Sequence, residues 1–188
     1  MASGKVYLLG YNPGGDAEFE TDSAKEDLLA QSKRAPDWNE YLDGVWFPGG
    51  RRCPAGRAPL QTRVQALPTG SVCASNLIFV RSRDQATLSQ AGHLAEQCWA
   101  VHRFLLEHIQ PRTILSIGGG KVFDFIASRG RMLSSVEQYP SGHGDWRCQA
   151  TRIAIGNGSY NLVSVPHLSR YAVDHHSDVI HWVKRTGF

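Results

Sequence analysis

The sequence predicts an α/β fold: a three-layer α/β/α sandwich on a mostly parallel central sheet of about four strands, with a late hairpin strand. Three observations carry this prediction. Short apolar runs at 5–9, 71–79 and 113–117 have the length of buried strands. Between them Leu88, Ala91, Leu94, Ala95, Cys98, Trp99, Leu105 and Ile109 recur at helical spacing over 87–109. Last, Gly156-Asn157-Gly158-Ser159 separates two β-rich segments, a hairpin signature.

The first run, Lys5-Val6-Tyr7-Leu8-Leu9, passes directly into Gly10-Tyr11-Asn12-Pro13-Gly14-Gly15. Pro13 sets φ and the glycines let backbone N–H groups approach a ligand closely, so the strand ends in a turn with Asn12 at its apex. Asp22 or Ser23 would cap a helix reaching Arg34, with Leu28 and Leu29 facing inward. A short helical piece is expected over 37–42. The stretch 44–70 is rich in Gly, Pro and Arg without clear periodicity and reads as a long loop. Pro111 stops the long helix, and Gly118-Gly119-Gly120 leads from the third strand into a helix carrying Val122, Phe123 and Ile126. Strands over 152–155 and 161–165 flank the hairpin turn, and the second of them meets Pro166-His167-Leu168-Ser169-Arg170-Tyr171. A terminal helix capped near Asp174, with Val179, Ile180, Trp182 and Val183, closes the chain.

At 188 residues the chain has enough material for one domain with a sizeable core. A hydrophobic content of 41% with 20% charged residues is ordinary for a soluble globular protein. The net charge of +3 permits nucleic-acid contact without demanding it. No apolar run approaches the roughly 20 residues that span a bilayer. The first strand begins too near Met1 for a signal peptide, so a cytoplasmic location is expected. Cys53, Cys73, Cys98 and Cys148 show no CxxC spacing, which points to reduced structural thiols rather than metal or cluster ligands. Cys53 lies among Arg51, Arg52 and Arg57, which would acidify its thiol, but no base stands beside it. Adjacent His175 and His176 point apart on a helix and make a poor chelate, so no metal or other cofactor is expected.

Asn12, Asn76 and His167 stand at or near strand ends, which share one edge in a parallel sheet. Here the chain resembles a known family. Leu9-Gly10-Tyr11-Asn12-Pro13-Gly14 is similar to the first motif of the uracil-DNA glycosylase superfamily, in the Gly-x-Asn-Pro-Gly form of its mismatch-specific and single-strand-selective branches. Ser75-Asn76-Leu77 resembles the mid-chain strand whose asparagine reads the uracil edge. Val165-Pro166-His167-Leu168-Ser169-Arg170 resembles the late His-Pro-Ser motif, with Leu168 in place of the usual proline. The resemblance runs in order from about 5 to 185 and implies a monomeric, metal-independent DNA glycosylase of base excision repair, acting on a base flipped out of single- or double-stranded DNA.

The residue types suit that chemistry. Asparagine offers a donor and an acceptor, matching the adjacent carbonyl and N–H of uracil, so Asn76 is the candidate reader of the base edge. Cleaving an N-glycosidic bond puts negative charge on the departing base, which a ring N–H of His167 would stabilise. The resemblance implies that Asn12 positions the attacking water; an amide orients water but does not deprotonate it. Asp16 and Glu18 lie just downstream as candidate activators, although acidic residues also suit the start of a helix. Gly10, Pro13 and Gly14 would line the pocket, and Tyr11 and Phe19 are candidates to stack on the base, against simple packing. Ser169 and nearby backbone amides would grip phosphate, and Arg170 or Tyr171 would fill the gap left by the base. Arg81 and Arg83, with Arg51, Arg52 and Arg57, would extend a phosphate-binding face.

Two other readings stand beside this one. The same pocket would serve a noncatalytic nucleic-acid or nucleobase binder. The Gly118–Lys121 turn would serve an enzyme of free nucleotides or nucleosides, although it lacks full phosphate-loop spacing.

Overall fold

A five-residue strand with every side chain buried, β1 (Val6–Gly10), lies inside the sheet between two parallel neighbours. The computed structural model describes residues 6–14, 33, 40–44, 57–67, 72–82 and 85–187. After β1 come α1 (Glu40–Asp43), α2 (Pro59–Ala66), β2 (Val72–Asn76), α3 (Ala91–Ile109), β3 (Thr113–Ser116) and α4 (Gly120–Ala127). β4 (Arg131–Met132), β5 (Glu137–Pro140), β6 (Arg147–Ile155) and β7 (Gly158–Ser164) follow, then a 3₁₀ turn (Val173–His175) and α5 (Ser177–Gly187).

The sheet order is β2-β1-β3-β7-β6-β4, with β5 also paired to β6. β2, β1, β3 and β7 run parallel, whereas β6 is antiparallel to β7, β4 and β5. Among the described residues the sheet is therefore mixed and has seven strands, which corrects the expected mostly parallel sheet of about four. The additional strands left little sequence signal. β4 has two residues, and β5 is a polar, largely exposed edge ending in Pro140, so neither shows apolar alternation.

Period-2 alternation sends the β1 side chains into two cores. Val6 and Leu8 pack with Val64 and Leu67 at α2 and with Val179, Trp182 and Val183 of α5. Tyr7 and Leu9 pack with Ala95, Leu106 and Ile109 of α3 and with Val122, Phe123 and Ile126 of α4. Burial on both faces explains why β1 reads as a continuous apolar run.

The second core holds a polar relay. The Tyr7 hydroxyl lies 2.7 Å from His102 Nδ1, and His102 Nε2 lies 3.0 Å from the Leu77 carbonyl. Only one tautomer satisfies every partner: the tyrosine donates to Nδ1, and Nε2–H donates to the carbonyl. His102 is fully buried, and desolvation holds its pKa below the ordinary histidine value, partly opposed by the Leu77 and Asn76 backbone. The relay ties α3 to the chain just beyond Asn76.

Within the expected 44–70 loop, residues 59–66 form α2 instead. Pro59 occupies a first-turn position, and Gln61 Oε1 accepts the Ala58 N–H at 2.9 Å. The other end of Gln61 donates to the Gly44 carbonyl at 2.8 Å. Gln61 and Val64 are the buried residues of this helix, and a face that is half polar has no apolar periodicity to read.

The long helix begins at Ala91, later than expected, and ends at Ile109; the Gln110 N–H still bonds the Leu106 carbonyl, and its φ of 48° turns the chain out of the helix before Pro111. Strand β6 starts five residues before the expected 152, at Arg147. Ile155 pairs with Gly158, so Gly156-Asn157 is a two-residue turn, and Gly156 at φ 56° takes the left-handed position that the type II′ geometry requires. The expected helix over 22–34 lies outside the described residues except for Lys33, and α1 covers part of the 37–42 expectation.

Cys73 and Cys98 are half-buried, and burial raises the Cys73 thiol pKa. Cys148 is fully buried, with its pKa pushed up to about 12 by burial and, secondarily, by Asp178; Cys53 is outside the described residues. Among the described residues no helix is long and apolar enough to cross a membrane.

Candidate functional site

Backbone pairing continues past the strand ends and brings four loops to the carboxyl edge of the parallel strands. Gly10 and Tyr11 carbonyls accept from the Leu77 and Ile78 N–H groups, both at 2.9 Å. Leu9 O accepts from Ile117 N–H and Ser116 O from Val165 N–H, each at 3.0 Å. Along this edge the order is Asn76, then Gly10–Asn12, then Ile117–Gly118, then Val165–His167. With neighbouring strands about 4.8 Å apart, the backbones of β1 and β7 are separated by about 10 Å, with the end of β3 between them.

Asn12 is partly buried and its amide nitrogen is engaged. Nδ2 donates to Ser82 Oγ at 2.8 Å and to Pro13 O at 2.9 Å, with Val80 O at 3.4 Å. Carbonyl partners settle the amide orientation, since only the nitrogen donates. What remains for a ligand is the acceptor, Oδ1. The turn is further held by Ser82 N–H to Pro13 O at 3.2 Å and by Arg81 Nη1 to Gly14 O at 3.2 Å. Arg81, expected to meet phosphate, thus spends one donor on the turn.

The same contacts decide what an aspartate would do at position 12. An aspartate here would set a carboxylate oxygen against two backbone carbonyls rather than supply a ready base. We expect Asn12→Asp to lose about 1–3 kcal/mol of stability and to gain no activity. Urea denaturation beside a rate assay checks this, and a faster, undiminished variant would show that the amide nitrogen is not held.

Asn76 pairs in register with Gly10. A Cβ on Gly10 would overlap Asn76 Oδ1, so the glycine is what lets the amide lie across β1. Tyr41 of α1 donates to the same Oδ1 at 3.4 Å, a long bond. Gly10→Ala should displace the amide and cost about 1–3 kcal/mol; a loss near zero in chemical denaturation, with ligand affinity unchanged, would mean the amide has another position.

His167 is half-buried. Its Nδ1 accepts from the Ser169 backbone N–H at 3.2 Å and lies 2.7 Å from Ser169 Oγ. With Nδ1 an acceptor, the neutral ring carries its proton on Nε2. Burial, and then the Arg170 charge, hold the pKa below the ordinary value and favour this neutral form. His167 O accepts the N–H groups of Arg170 and Tyr171 at 2.9 and 3.0 Å, which closes the loop on itself. Ser169, expected to grip phosphate, therefore also positions the imidazole.

Arg63, on the unanticipated helix α2, donates to Leu168 O at 2.6 Å and faces Asp174 at 3.8 Å. It anchors the histidine loop from the other side, and an arginine in an aperiodic stretch carries no sequence signal for that task. Lys121 ends the Gly118–Lys121 turn and stands in the first turn of α4. Its Nζ lies 5.9 Å from the Tyr11 ring centroid, and Gly118 packs against the Tyr11 backbone. Tyr11 itself is half-buried against the second core.

Two expectations for the last loop separate. Arg170 is exposed. Tyr171 is fully buried, its hydroxyl donates to Ser141 O at 2.6 Å, and its ring stacks on His176 at 4.9 Å. A side chain packed this way has no surface to insert into DNA, so the Tyr171 expectation is corrected. Phe19, Arg83, Asp16, Glu18, Arg51 and Arg52 lie outside the described residues. Arg57 is half-buried, with Nη1 enclosed and without a hydrogen-bond partner among the described residues.

The site thus combines an amide acceptor, an amide with a donor and an acceptor, and an imidazole N–H donor on one sheet edge. No protein-family model matches the chain, and none of the curated proteins is significantly similar to it.

Proposed function

We propose that the chain is a DNA glycosylase that hydrolyses the N-glycosidic bond of uracil or a related deaminated base, in an α/β/α sandwich like that of the uracil-DNA glycosylase superfamily. The observation that carries this reading is the neutral His167, whose Nδ1 is occupied by Ser169 while Nε2–H remains to donate. In the proposed step a water oxygen bonds to the sugar C1′, and the C1′–N bond breaks with its electron pair leaving on the base. Nε2–H of His167 stabilises the developing base anion, and the water gives up its proton to solvent. Asn12 Oδ1 accepts a hydrogen bond from that water and turns its lone pair toward C1′. Asn76 supplies an acceptor for a base N–H and a donor for the neighbouring carbonyl. Arg170, with the Ser169 amide region, would contact the strand.

The test is base release from oligonucleotides carrying uracil, hypoxanthine, xanthine or thymine mismatches, single- and double-stranded, scored as abasic sites. Release that disappears in Asn12→Ala, His167→Ala supports the reading. No release above that of the double variant on any substrate rejects it. Salt-dependent DNA binding without release would favour the noncatalytic alternative.

A further inference from the structure

At the opposite edge of the sheet, where β3 and β7 begin, a concavity of about 440 Å³ is lined by Arg112, Arg152, Arg185, Ser159, Tyr160 and Asn161. It is lined by none of Asn12, Asn76 or His167. Its placement follows from the ladder. Thr113 and Arg152 both pair with Asn161, and Arg112 immediately precedes Thr113 and accepts the Asn161 N–H at its carbonyl, 3.0 Å away. Asn161 Nδ2 donates to Gly187 O at 3.2 Å, which brings the last turn of α5, with Arg185, over the same place.

Three guanidinium groups around one concavity repel each other, a cost that a bound anion removes. Only Arg185 has an acidic partner: it meets Glu137 Oε1 at 2.9 Å, and that carboxylate also accepts from Trp182 Nε1 at 2.6 Å. Arg112 and Arg152 have no ion pair with any described residue, and no acidic side chain lines the concavity. Guanidinium forks match phosphate oxygens two by two, while the Ser159 hydroxyl and the Asn161 amide add neutral partners.

We propose that this basin binds a small free phosphorylated ligand of the diphosphate class, such as pyrophosphate or a nucleoside diphosphate. The volume exceeds what a single phosphate fills and lies within the range of small-ligand sites. A free ligand is favoured over a DNA strand because the basin faces away from the carboxyl edge that carries Asn12, Asn76 and His167. The choice of a free ligand over a DNA strand rests on the glycosylase reading; the anion chemistry of the basin does not.

The test is calorimetric titration of the full chain with pyrophosphate and with ADP at constant ionic strength, using chloride as the balancing anion. The expected result is saturable binding that weakens about tenfold or more in Arg112→Gln and in Arg152→Gln. Both positions are exposed, and each variant is checked for unchanged circular dichroism. Equilibrium dialysis of labelled pyrophosphate against the unaltered chain gives a second measurement that needs no variant. No saturable binding at millimolar pyrophosphate, or binding unaffected by both substitutions, overturns the proposal. Displacement of pyrophosphate by an unmodified oligonucleotide at the same ionic strength overturns it too, by assigning the basin to nucleic acid.

Discussion

Replacing His167 with alanine is expected to lower base release by about 100-fold or more, the usual consequence of removing one donor from a developing anion. Stability should move little, within about 1 kcal/mol, because the ring is only half-buried and its bonds stay within its own loop. His167→Gln is the informative companion, since an amide donor on a longer side chain should restore part of the rate. The pH dependence follows from the tautomer. Protonation places a hydrogen on Nδ1 facing the Ser169 N–H that now donates there, which breaks the loop geometry. The folded pKa lies below the ordinary 6.5, so the rate should be flat above that value and fall as the pH drops through the folded pKa. A rate that rises on acidification, or an alanine variant as fast as the parent, would remove His167 from this role.

His102→Ala is expected to cost about 3–5 kcal/mol of unfolding free energy. The change leaves a void in the second core and strands two groups, the Tyr7 hydroxyl and the Leu77 carbonyl, that the imidazole now joins. Tyr7→Phe should cost less alone, and the double variant less than the sum, since both changes break the same relay. Urea denaturation of the four proteins measures this coupling, and strict additivity would argue against a connected relay. Acid acts in the same direction. The lowered folded pKa means the stabilising contribution is complete above the unfolded value of 6.5 and is lost as pH falls through the folded pKa. Because Leu77 follows Asn76 directly, loss of the relay should also weaken ligand binding at the carboxyl edge.

Together these experiments separate holding from reacting. Arg63 and Ser169 orient the imidazole through hydrogen bonds, and Gly10 leaves room for the Asn76 amide. His102 supports the same edge from within the core. Alterations at these positions should shift affinity, stability or pH dependence before they abolish a reaction.

The sequence by itself determined the elements whose burial is extensive. β1 and β3 are legible as short continuous runs because both of their faces are buried, and α3, α4 and α5 because each buries an apolar face that recurs at period 3.6. The Gly156-Asn157 hairpin is legible because its turn geometry demands particular residues. Asn12, Asn76 and His167 could be assigned to one edge because parallel strands all end there. Only the tertiary structure decided what those side chains have left to offer. Hydrogen bonds across 70 residues occupy the Asn12 nitrogen, and the Ser169 backbone N–H selects the His167 tautomer. Tyr171 turned inward because its hydroxyl finds a carbonyl on the β5–β6 connection, a partner no local pattern announces. Helix α2 and edge strands β4 and β5 stayed hidden for the same reason: polar contacts and ladder pairing hold them, and these leave no period in the chain.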